Sequence, residues 1–227
     1  MVKIKLDDRL SAVSDFVREG AVAADIGTDH AYLLAYLLQI GKITRGIAAD
    51  LRKGPLENAR KTLVDCGEIE KVKLILSDGL DELNEGECDD IVIAGMGGIL
   101  IKEILERTPW VYDKKVHIIA QPMTHAEVLR RFFLENGFRI IKETAAADGK
   151  HNYCVILAEY DGEKREAEIW YTYVGELINN SDEMSKAYVD KIIFALEKKA
   201  AALKAAGVID EENIEYTVNE IKKRVQR

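Results

Sequence analysis

The feature that most constrains the fold is a repeated alternation of two kinds of segment between residues 22 and 121. Short runs rich in alanine or β-branched residues alternate with segments in which apolar residues recur at helical spacing. The short runs occupy residues 22–25, 45–50, 72–76, 91–95 and 116–121. The alternation predicts parallel βαβ units, and the nearly continuous apolar character of the runs is typical of a sheet that helices cover on both faces.

Two further segments extend the predicted sheet, and a helical region follows it. Residues 138–146 and 153–160 are strand-like and are separated by one short polar loop, which predicts an antiparallel pair at a sheet edge. Beyond residue 161 an apolar seam at spacings of three and four contains Val189, Ile192, Leu196, Ala200 and Leu203. Such a seam is typical of a coiled-coil-like helix. The sequence therefore predicts an α/β domain over residues 1–161 and a helical domain over residues 162–227.

Composition restricts the class of protein. Hydrophobic residues make up 48% of the 227-residue chain and the net charge is −8, so we expect a globular protein without a global basic field for nucleic acid. Three cysteines without a CxxC pair, and no Cys/His cluster, predict neither a disulfide framework nor a metal site. No apolar signal region or transmembrane-length run is present, so we expect a cytoplasmic protein that does not enter a membrane.

The polar residues after the first strand form the first candidate site. They are Asp25, Gly27, Thr28, Asp29 and His30. In an open parallel sheet, ligands bind at the carboxyl ends of the strands, near the point where the strand order reverses. One glycine does not make the GxGxxG fingerprint of dinucleotide sites, whereas two carboxylates suit a ligand that carries ammonium or sulfonium charge. The alternative is a plain turn in which one of the carboxylates caps the next helix.

Acidic residues follow two other strands as well. Asp50 lies about 20 residues after Gly27, where an acid can accept hydrogen bonds from ribose hydroxyls. Asp78 follows the third strand and can accept a hydrogen bond from an adenine amino group. A single acid at a strand end is most simply a helix cap, but acids at three successive strand ends together predict a nucleoside site.

Glycines and a Gln-Pro pair end the next two strands. The segment AGMGG at residues 94–98 leaves open backbone where a flat substrate can approach, although a helix start that needs close packing is the alternative. The loop around residue 150 can reach the same edge, but hairpin loops are often polar without a function. The predicted substrate contacts are Met96, Gly97, Gly98, Gln121, Pro122, Lys150 and Tyr153.

Taken together, these motifs resemble those of a known family. The segments ADIGTDHAYL at 24–33, AGMGG at 94–98 and QP at 121–122 resemble the TrmK family, one of the class I S-adenosylmethionine-dependent methyltransferases, which methylates N1 of adenine 22 in tRNA. The resemblance extends over essentially the whole chain. It implies a Rossmann-like α/β fold with seven, mostly parallel strands and a C-terminal, coiled-coil-like helical domain.

The resemblance also implies S-adenosyl-L-methionine as the cofactor and gives roles to residues. Asp25, Gly27, Thr28 and Asp29 line the methionine end, Asp50 holds the ribose, Asp78 the adenine amine, and Gly95 lies near the sulfonium. The full cofactor set is Asp25, Gly27, Thr28, Asp29, Asp50, Leu51, Asp78, Gly79, Ala94 and Gly95. Asp29 and His30 are the catalytic candidates, as a charge-stabilising group and a proton acceptor.

The helical domain is expected to contact the tRNA. The candidates for phosphate contacts are Lys198, Lys199, Lys204, Lys222, Lys223, Arg224 and Arg227, and a solvated helix face is the alternative for them. A monomer or weak homo-oligomer is expected. Two other functions stay open from the sequence: a non-catalytic methyltransferase-like binding module, and a methyltransferase that acts on another RNA or on a small molecule.

Overall fold

The fold is built on one mixed sheet. The computed structural model describes residues 2–149, 151–210 and 213–225. Within these residues seven strands form the sheet in the order β3-β2-β1-β4-β5-β7-β6. The strands are β1 (Val22–Ile26), β2 (Arg45–Asp50), β3 (Val72–Leu76), β4 (Asp90–Met96), β5 (His117–Pro122), β6 (Phe138–Asp148) and β7 (His151–Tyr160). The pairings among β1 to β5 are parallel, and β7 runs antiparallel to both β5 and β6. The predicted seven-stranded, mostly parallel sheet is confirmed.

Helices cover both faces of the sheet. They are α1 (Asp8–Phe16), α2 (Tyr32–Gln39), α3 (Lys53–Cys66), α4 (Gly98–Glu106), α5 (Ala126–Glu135), α6 (Ile169–Val174), α7 (Glu183–Ala205) and α8 (Ile214–Val225). Helix α1 was not predicted from the sequence; it begins where the Asp7 carboxylate accepts a hydrogen bond from the Leu10 backbone N–H at 2.7 Å. None of the helices in the described residues has the length and hydropathy to cross a membrane.

Alternate side chains of each strand point into two different cores. Ala23, Val92 and Ile119 lie in the core beneath α1, α2 and α3. Ala24 and Ile91 face the opposite core, which α4 and α5 cover. Because both faces are buried, the strands consist of apolar residues throughout, as the sequence predicted.

The strand order reverses between β1 and β4. From β1 the chain adds β2 and then β3 on one side, whereas β4 and β5 lie on the other side. The loops that leave β1 and β4 therefore diverge to opposite sides and open a crevice at the carboxyl edge of the sheet. This crevice lies between the segments that follow Asp25 and Ala94.

The helical region packs into the same core as the sheet. Val174, Leu177, Val189, Leu196 and Ile221 are buried in one cluster with the side chains beneath α4 and α5. Helix α7 also packs along α8. A C-terminal helical region is thus confirmed, and its coiled-coil-like character stays a prediction, as does the division into two domains at residue 161.

A buried ion pair joins this region to the sheet. Arg130 of α5 and Glu143 of β6 are both inaccessible to solvent, and the Arg130 Nε donates to Glu143 Oε1 at 2.7 Å. The second carboxylate oxygen accepts the Glu176 N–H at 3.1 Å, and the Arg130 guanidinium donates to the carbonyls of Thr172 and Tyr173, each at 2.9 Å. Burial alone lowers the pKa of Arg130, but the carboxylate of Glu143 outweighs it and raises that pKa well above its ordinary value.

Removing one partner of this pair tests its contribution. In the Glu143→Leu variant the Arg130 guanidinium stays buried without its carboxylate, so we expect the free energy of unfolding to fall by about 3–5 kcal/mol in urea denaturation. The double variant Arg130→Met/Glu143→Leu removes both charges, and we expect it to recover most of that loss.

The matched control is an exposed pair. Arg139 is bonded to Glu159 on the surface, and Arg139→Met is expected to cost less than about 1 kcal/mol. If Glu143→Leu costs no more than this control, the buried pair does not hold the helical region to the sheet.

Candidate functional site

The turn after β1 is fixed by hydrogen bonds to the neighbouring strand. The backbone N–H groups of Gly27 and Thr28 both donate to the carbonyl of Ala49 in β2, at 2.8 and 3.1 Å. The Thr28 hydroxyl oxygen accepts the N–H of Ala31 at 3.1 Å, and Ala31 takes a left-handed conformation with φ 53°. Left-handed non-glycine residues are uncommon and occur mostly where the surroundings over-determine the backbone. The turn is therefore rigid before any ligand arrives.

Position 27 requires a glycine both because of its backbone conformation and for a steric reason. Its φ is +77°, and a Cβ atom there would lie 2.1 Å from the Cε of Met96 in β4. Met96 is partly buried and packs against the core, so its side chain forms the floor of the crevice between β1 and β4. A side chain at position 27 would fill this floor.

Asp25 carries the most perturbed carboxyl group of the site. Burial raises the pKa of Asp25 to about 6, which exceeds the lowering by the Thr28 hydrogen bond and by the positive charge of Arg9. The negative charge of Asp50 adds a further, smaller rise to this pKa. Asp25 and Asp50 thus share one electrostatic environment, and a cation that lies between them relieves their repulsion.

An arginine from the N-terminal helix reaches the same crevice. The Arg9 Nη1 donates to Gln121 Oε1 at 2.9 Å, and the same oxygen accepts the Gly95 N–H at 3.1 Å. Gln121 has no solvent-accessible surface, and its amide nitrogen donates to the carbonyl of Pro122 at 3.2 Å. The buried amide therefore fixes both the guanidinium of Arg9 and the backbone of Gly95.

The three glycines at the end of β4 and just after it differ in their surroundings. Gly95 has φ +83°, is exposed, and has only the Arg9 Nη1 near the position of a Cβ, at 3.8 Å. A Cβ at Gly98 would lie 2.2 Å from the carbonyl oxygen of His125, and one at Gly97 would lie 3.2 Å from Thr124 Oγ1. Gly98 is bare because it packs against the turn before α5, whereas Gly95 leaves room for a ligand.

The acid at the end of β2 is held in place by the backbone. Asp50 is 8% exposed, and its Oδ1 accepts the Arg52 N–H at 2.7 Å. The Arg52 guanidinium approaches the same oxygen at 3.8 Å. Leu51, between them, is 63% exposed and offers an apolar side chain to the rim.

Asp78, which follows β3, is hydrogen-bonded to an arginine that the sequence did not predict as its partner. The Arg107 Nη2 donates to Asp78 Oδ1 at 2.5 Å and to the Asp78 carbonyl at 2.8 Å. Gly79 packs against α4, since a Cβ there would lie 2.9 Å from Ile104. The backbone of Asp78 follows β3 at the carboxyl edge, but its carboxylate points to Arg107.

Asp29 and His30 lie side by side on the outer part of the turn. His30 Nε2 is 3.5 Å from Asp29 Oδ2, and the side chains are 40% and 68% exposed. The imidazole stacks on the ring of Tyr32 with centroids 5.1 Å apart and planes 7° from parallel. A carboxylate and an imidazole are thus available together at the mouth of the crevice.

The crevice between β1 and β4 combines charges of both signs with backbone that no side chain covers. Asp25 and Asp50 are negative when ionised, Arg9 is positive, and Gly27 and Gly95 leave backbone uncovered. This arrangement can hold a ligand that combines an ammonium group, a carboxylate and sugar hydroxyls. In the part of the chain that the structure describes, no three His, Cys, Asp or Glu side chains are grouped as metal ligands would be.

Comparisons with known proteins identify the family. The chain matches the family of methyltransferase domains over residues 6–156. It is 36% identical over 169 residues, or 71% of each chain, to the tRNA (adenine(22)-N(1))-methyltransferase of Bacillus subtilis (strain 168). This protein belongs to the TrmK family of methyltransferases.

Solved structures of TrmK proteins match almost the whole chain. The M1A22 tRNA methyltransferase TrmK of B. subtilis superimposes with a TM-score of 0.80 at 28% identity, covering 99% of this chain and 97% of that one. TrmK of M. capricolum, in complex with S-adenosyl-homocysteine, gives a TM-score of 0.78 at 27% identity, covering 97% and 98%. The family relationship therefore includes the helical region, which lies beyond the matched methyltransferase domain.

The structure brings part of the predicted TrmK site together. The crevice or its rim contains Asp25, Gly27, Thr28, Asp29, His30, Asp50, Leu51, Ala94, Gly95 and Met96. Gln121, Pro122 and Gly98 are buried behind the rim, and Gly97 contacts Thr124. Tyr153 lies on the β6–β7 hairpin beside His151, with ring centroids 6.2 Å apart. Lys150 lies outside the described residues.

The residue that sequence reasoning missed at the TrmK crevice is Arg9. It precedes β1 and carries no local motif, and Gln121, to which it donates, is 112 residues away. The one available signal is the pair of acids before it, which caps α1 and so points to a helix start near residue 8. Its place beside Asp25 and Gly95 is known only from the tertiary structure.

The raised pKa of Asp25 has a consequence for stability. Its value is about 6 in the folded protein against an ordinary 3.8, so the ionised carboxylate destabilises the fold at neutral pH. We expect Asp25→Asn to raise the free energy of unfolding by about 3 kcal/mol near pH 7.5. The difference should shrink as the pH falls through 6 and vanish below 3.8, where the carboxyl is protonated in both states.

Urea denaturation over this pH range measures the difference. The matched control is Asp29→Asn in the same turn, because its carboxylate is 68% exposed and no change in stability is expected. A loss of stability in Asp25→Asn at neutral pH is the result that contradicts this assignment.

Proposed function

We propose that this protein transfers the methyl group of S-adenosyl-L-methionine to N1 of adenine 22 in tRNA. The relative from B. subtilis is named for this reaction, and the TrmK of M. capricolum binds the product of the cofactor, S-adenosyl-homocysteine. The observation that carries the proposal is that Arg9 lies close enough to Asp25 at the β1–β4 crevice for its charge to lower the pKa of that carboxyl, since the cofactor ends in an amino-acid group with both charges.

The residues present fit this cofactor. Asp25 binds the α-ammonium group, and Arg9 binds the α-carboxylate of the methionine moiety. Asp50 accepts hydrogen bonds from the ribose hydroxyls, since only one of its oxygens takes the Arg52 N–H. Leu51 covers the adenine, and the exposed backbone of Gly95 lies where the ligand must approach closely.

Asp78 and the remaining residues of the predicted set complete the cofactor site. Asp78 accepts from the adenine amine while its Oδ1 keeps the bond to Arg107. Gly27, Thr28, Gly79 and Ala94 contribute backbone and shape, since Gly27 and Gly79 have no space for a Cβ. Arg107 thus positions Asp78 without contacting the cofactor.

The protein's own contribution to the reaction is alignment and charge stabilisation. The bound cofactor supplies an electrophilic methyl group on a sulfonium centre. Asp29 stabilises the positive charge that an N1-methylated adenine carries, and His30, 3.5 Å from it, accepts the N6 proton that leaves. Met96 and Gly97 form the surface over which the base enters, and Gln121 positions Gly95 from behind.

The position of N1 restricts the substrate. This atom lies on the Watson–Crick edge, so the base must be unpaired or flipped out of the stack before it reaches the crevice. We assign the methyltransferase to residues 1–161 and tRNA contacts to the helical region at 162–227. Lys150, which lies outside the described residues, and Tyr153 of the β6–β7 hairpin contribute to the substrate side. We further propose that the protein acts in the cytoplasm as a monomer or weak homo-oligomer.

A methylation assay tests the reaction. The purified protein, S-adenosyl-L-methionine and an unmodified tRNA transcript with adenine at position 22 should give 1-methyladenosine, detected by nucleoside mass spectrometry. The control transcript carries guanine at that position and should give none. Absence of product, with the cofactor bound, would identify a non-catalytic binding module; product in the control transcript would place the methylation elsewhere.

The same assay tests the role of Asp29. We expect Asp29→Asn to lower kcat by about 10- to 100-fold, because a charge that stabilises the methylated base is lost. The affinity for S-adenosyl-homocysteine should fall much less than kcat, as measured by isothermal titration calorimetry, because the Asp29 carboxylate is 68% exposed on the outer part of the turn. An unchanged kcat removes Asp29 from catalysis.

Two ligands, one with and one without the amino-acid group, test whether Asp25 and Arg9 bind that group of the cofactor. S-adenosyl-homocysteine has the amino-acid group, whereas 5′-methylthioadenosine lacks it. We expect Arg9→Ala and Asp25→Asn each to weaken binding of the first ligand by about 10- to 100-fold, as charge-assisted hydrogen bonds are lost. Binding of the second ligand should change less than about threefold. Equal losses for both ligands mean that the substitutions act through the fold rather than through the amino-acid group.

A further inference from the structure

A second concave surface lies between the sheet domain and the helical region. This groove has a volume of about 590 Å³ and is bounded by α4 and α5 on one side and by α6 and α7 on the other. Ile99, His125 and Arg131 line it from the first side, and Ile169 and Lys199 line it from the second. None of these five residues belongs to the cofactor crevice described above.

The groove begins next to the predicted substrate rim. Ile99 follows Gly98 at the start of α4. His125 lies in the turn before α5, and its carbonyl oxygen lies close to Gly98. Ile99 is 44% exposed at the end nearest the rim. A strand that delivers a base to the crevice over Gly97 therefore passes directly into the groove.

The charge of the groove suits a polyanion. Arg131 is exposed, and no side chain or carbonyl in the described residues pairs with it. Lys199 adds a second cation from the opposite wall. Among the described residues that line the groove the one acid is Glu127, which is hydrogen-bonded to the imidazole of His125 at 3.1 Å. The exposed, unpaired guanidinium is a bidentate partner for phosphate.

Unlike Arg131, the basic residues at the end of α8 have acidic partners within the protein. Lys222 pairs with Glu197, and Lys223 pairs with Glu220, at 2.5 and 2.7 Å. Arg224 pairs with the same Glu220 and lies over the ring of Trp170 at 3.9 Å. These cations are occupied within the protein, so their expected role in phosphate contacts is less favoured than one for Arg131.

We propose that this groove holds the ribose-phosphate backbone next to the target adenine, with Arg131 as a phosphate contact. The inference rests on the proposed function, because it takes an RNA strand as the substrate. The helical region then serves the reaction by providing the second wall of the groove, through α6 and α7.

The salt dependence of tRNA binding tests this role. The probe is the unmodified tRNA transcript with adenine at position 22, bound by the full chain at several salt concentrations. We expect Arg131→Ala to raise Kd about 3- to 10-fold and to make the slope of log Kd against log salt less steep by about 0.9, the value for one lost phosphate contact. Arg131→Lys should restore most of the slope, because it keeps the charge.

The matched control is Arg45→Ala. Arg45 is likewise exposed and without a partner in the described residues, but it starts β2 at the opposite edge of the sheet. This variant removes the same charge from the chain, and its slope should equal that of the parent. Binding of S-adenosyl-homocysteine should be the same in all variants.

The outcomes separate this inference from the proposed function. If the parent methylates the transcript but Arg131→Ala behaves like Arg45→Ala, the groove does not contact the RNA and the inference alone fails. If the parent binds no tRNA at any salt concentration, the proposed function fails first. If Arg131→Ala changes the sedimentation of the free protein and leaves the slope unaltered, the groove is an interface between two copies of the chain.

Discussion

The buried ion pair of Arg130 and Glu143 is the interaction on which the joining of the sheet to the helical region depends. It connects α5 to β6 and, through two carbonyls and one N–H group, to the segment that contains α6. Gly175 is bare because the pair occupies its side-chain space, with Glu143 Oε2 at 2.1 Å from a Cβ there. Fully buried charges rarely add net stability over an apolar replacement, but a pair with every partner in place permits a single docking geometry. That geometry places both walls of the groove.

The cofactor crevice depends on a different constraint, the reversal of strand order between β1 and β4. The reversal leaves the carboxyl edge uncovered there, and the chain places groups of opposite charge around it. Asp25 is kept in a partly buried position where desolvation raises its pKa, and we expect an amide side chain there to be more stable at neutral pH. A group held at the expense of stability is typical of a binding site, because the missing counter-charge arrives with the ligand.

Sequence reasoning succeeded where a local pattern sets the structure. The strands follow from apolar runs, and β2 and β3 have the predicted bounds, Arg45–Asp50 and Val72–Leu76. Asp25 and Asp50 were correctly placed at one edge, since the carboxyl ends of neighbouring parallel strands must lie together. The bond of Asp78 to Arg107 was missed because it depends on the position of α4 against a distant loop, whereas the close packing of Gly98 at a helix start was one of two alternatives that the sequence left open.

The sequence by itself determined the alternation of strands and helices from β1 onward, the acids at the strand ends and the family, because each follows from short-range periodicity or contiguous motifs. Only the tertiary structure decided that Arg9 reaches Gln121 at the crevice, that Arg130 is buried while Arg131 is exposed, and that a groove adjoins the rim. Adjacent residues on a helix point in different directions, so whether each side chain is buried or exposed depends on which element packs against its face of the helix. The contact of Arg9 with Gln121 joins positions 112 residues apart, and no local pattern encodes it.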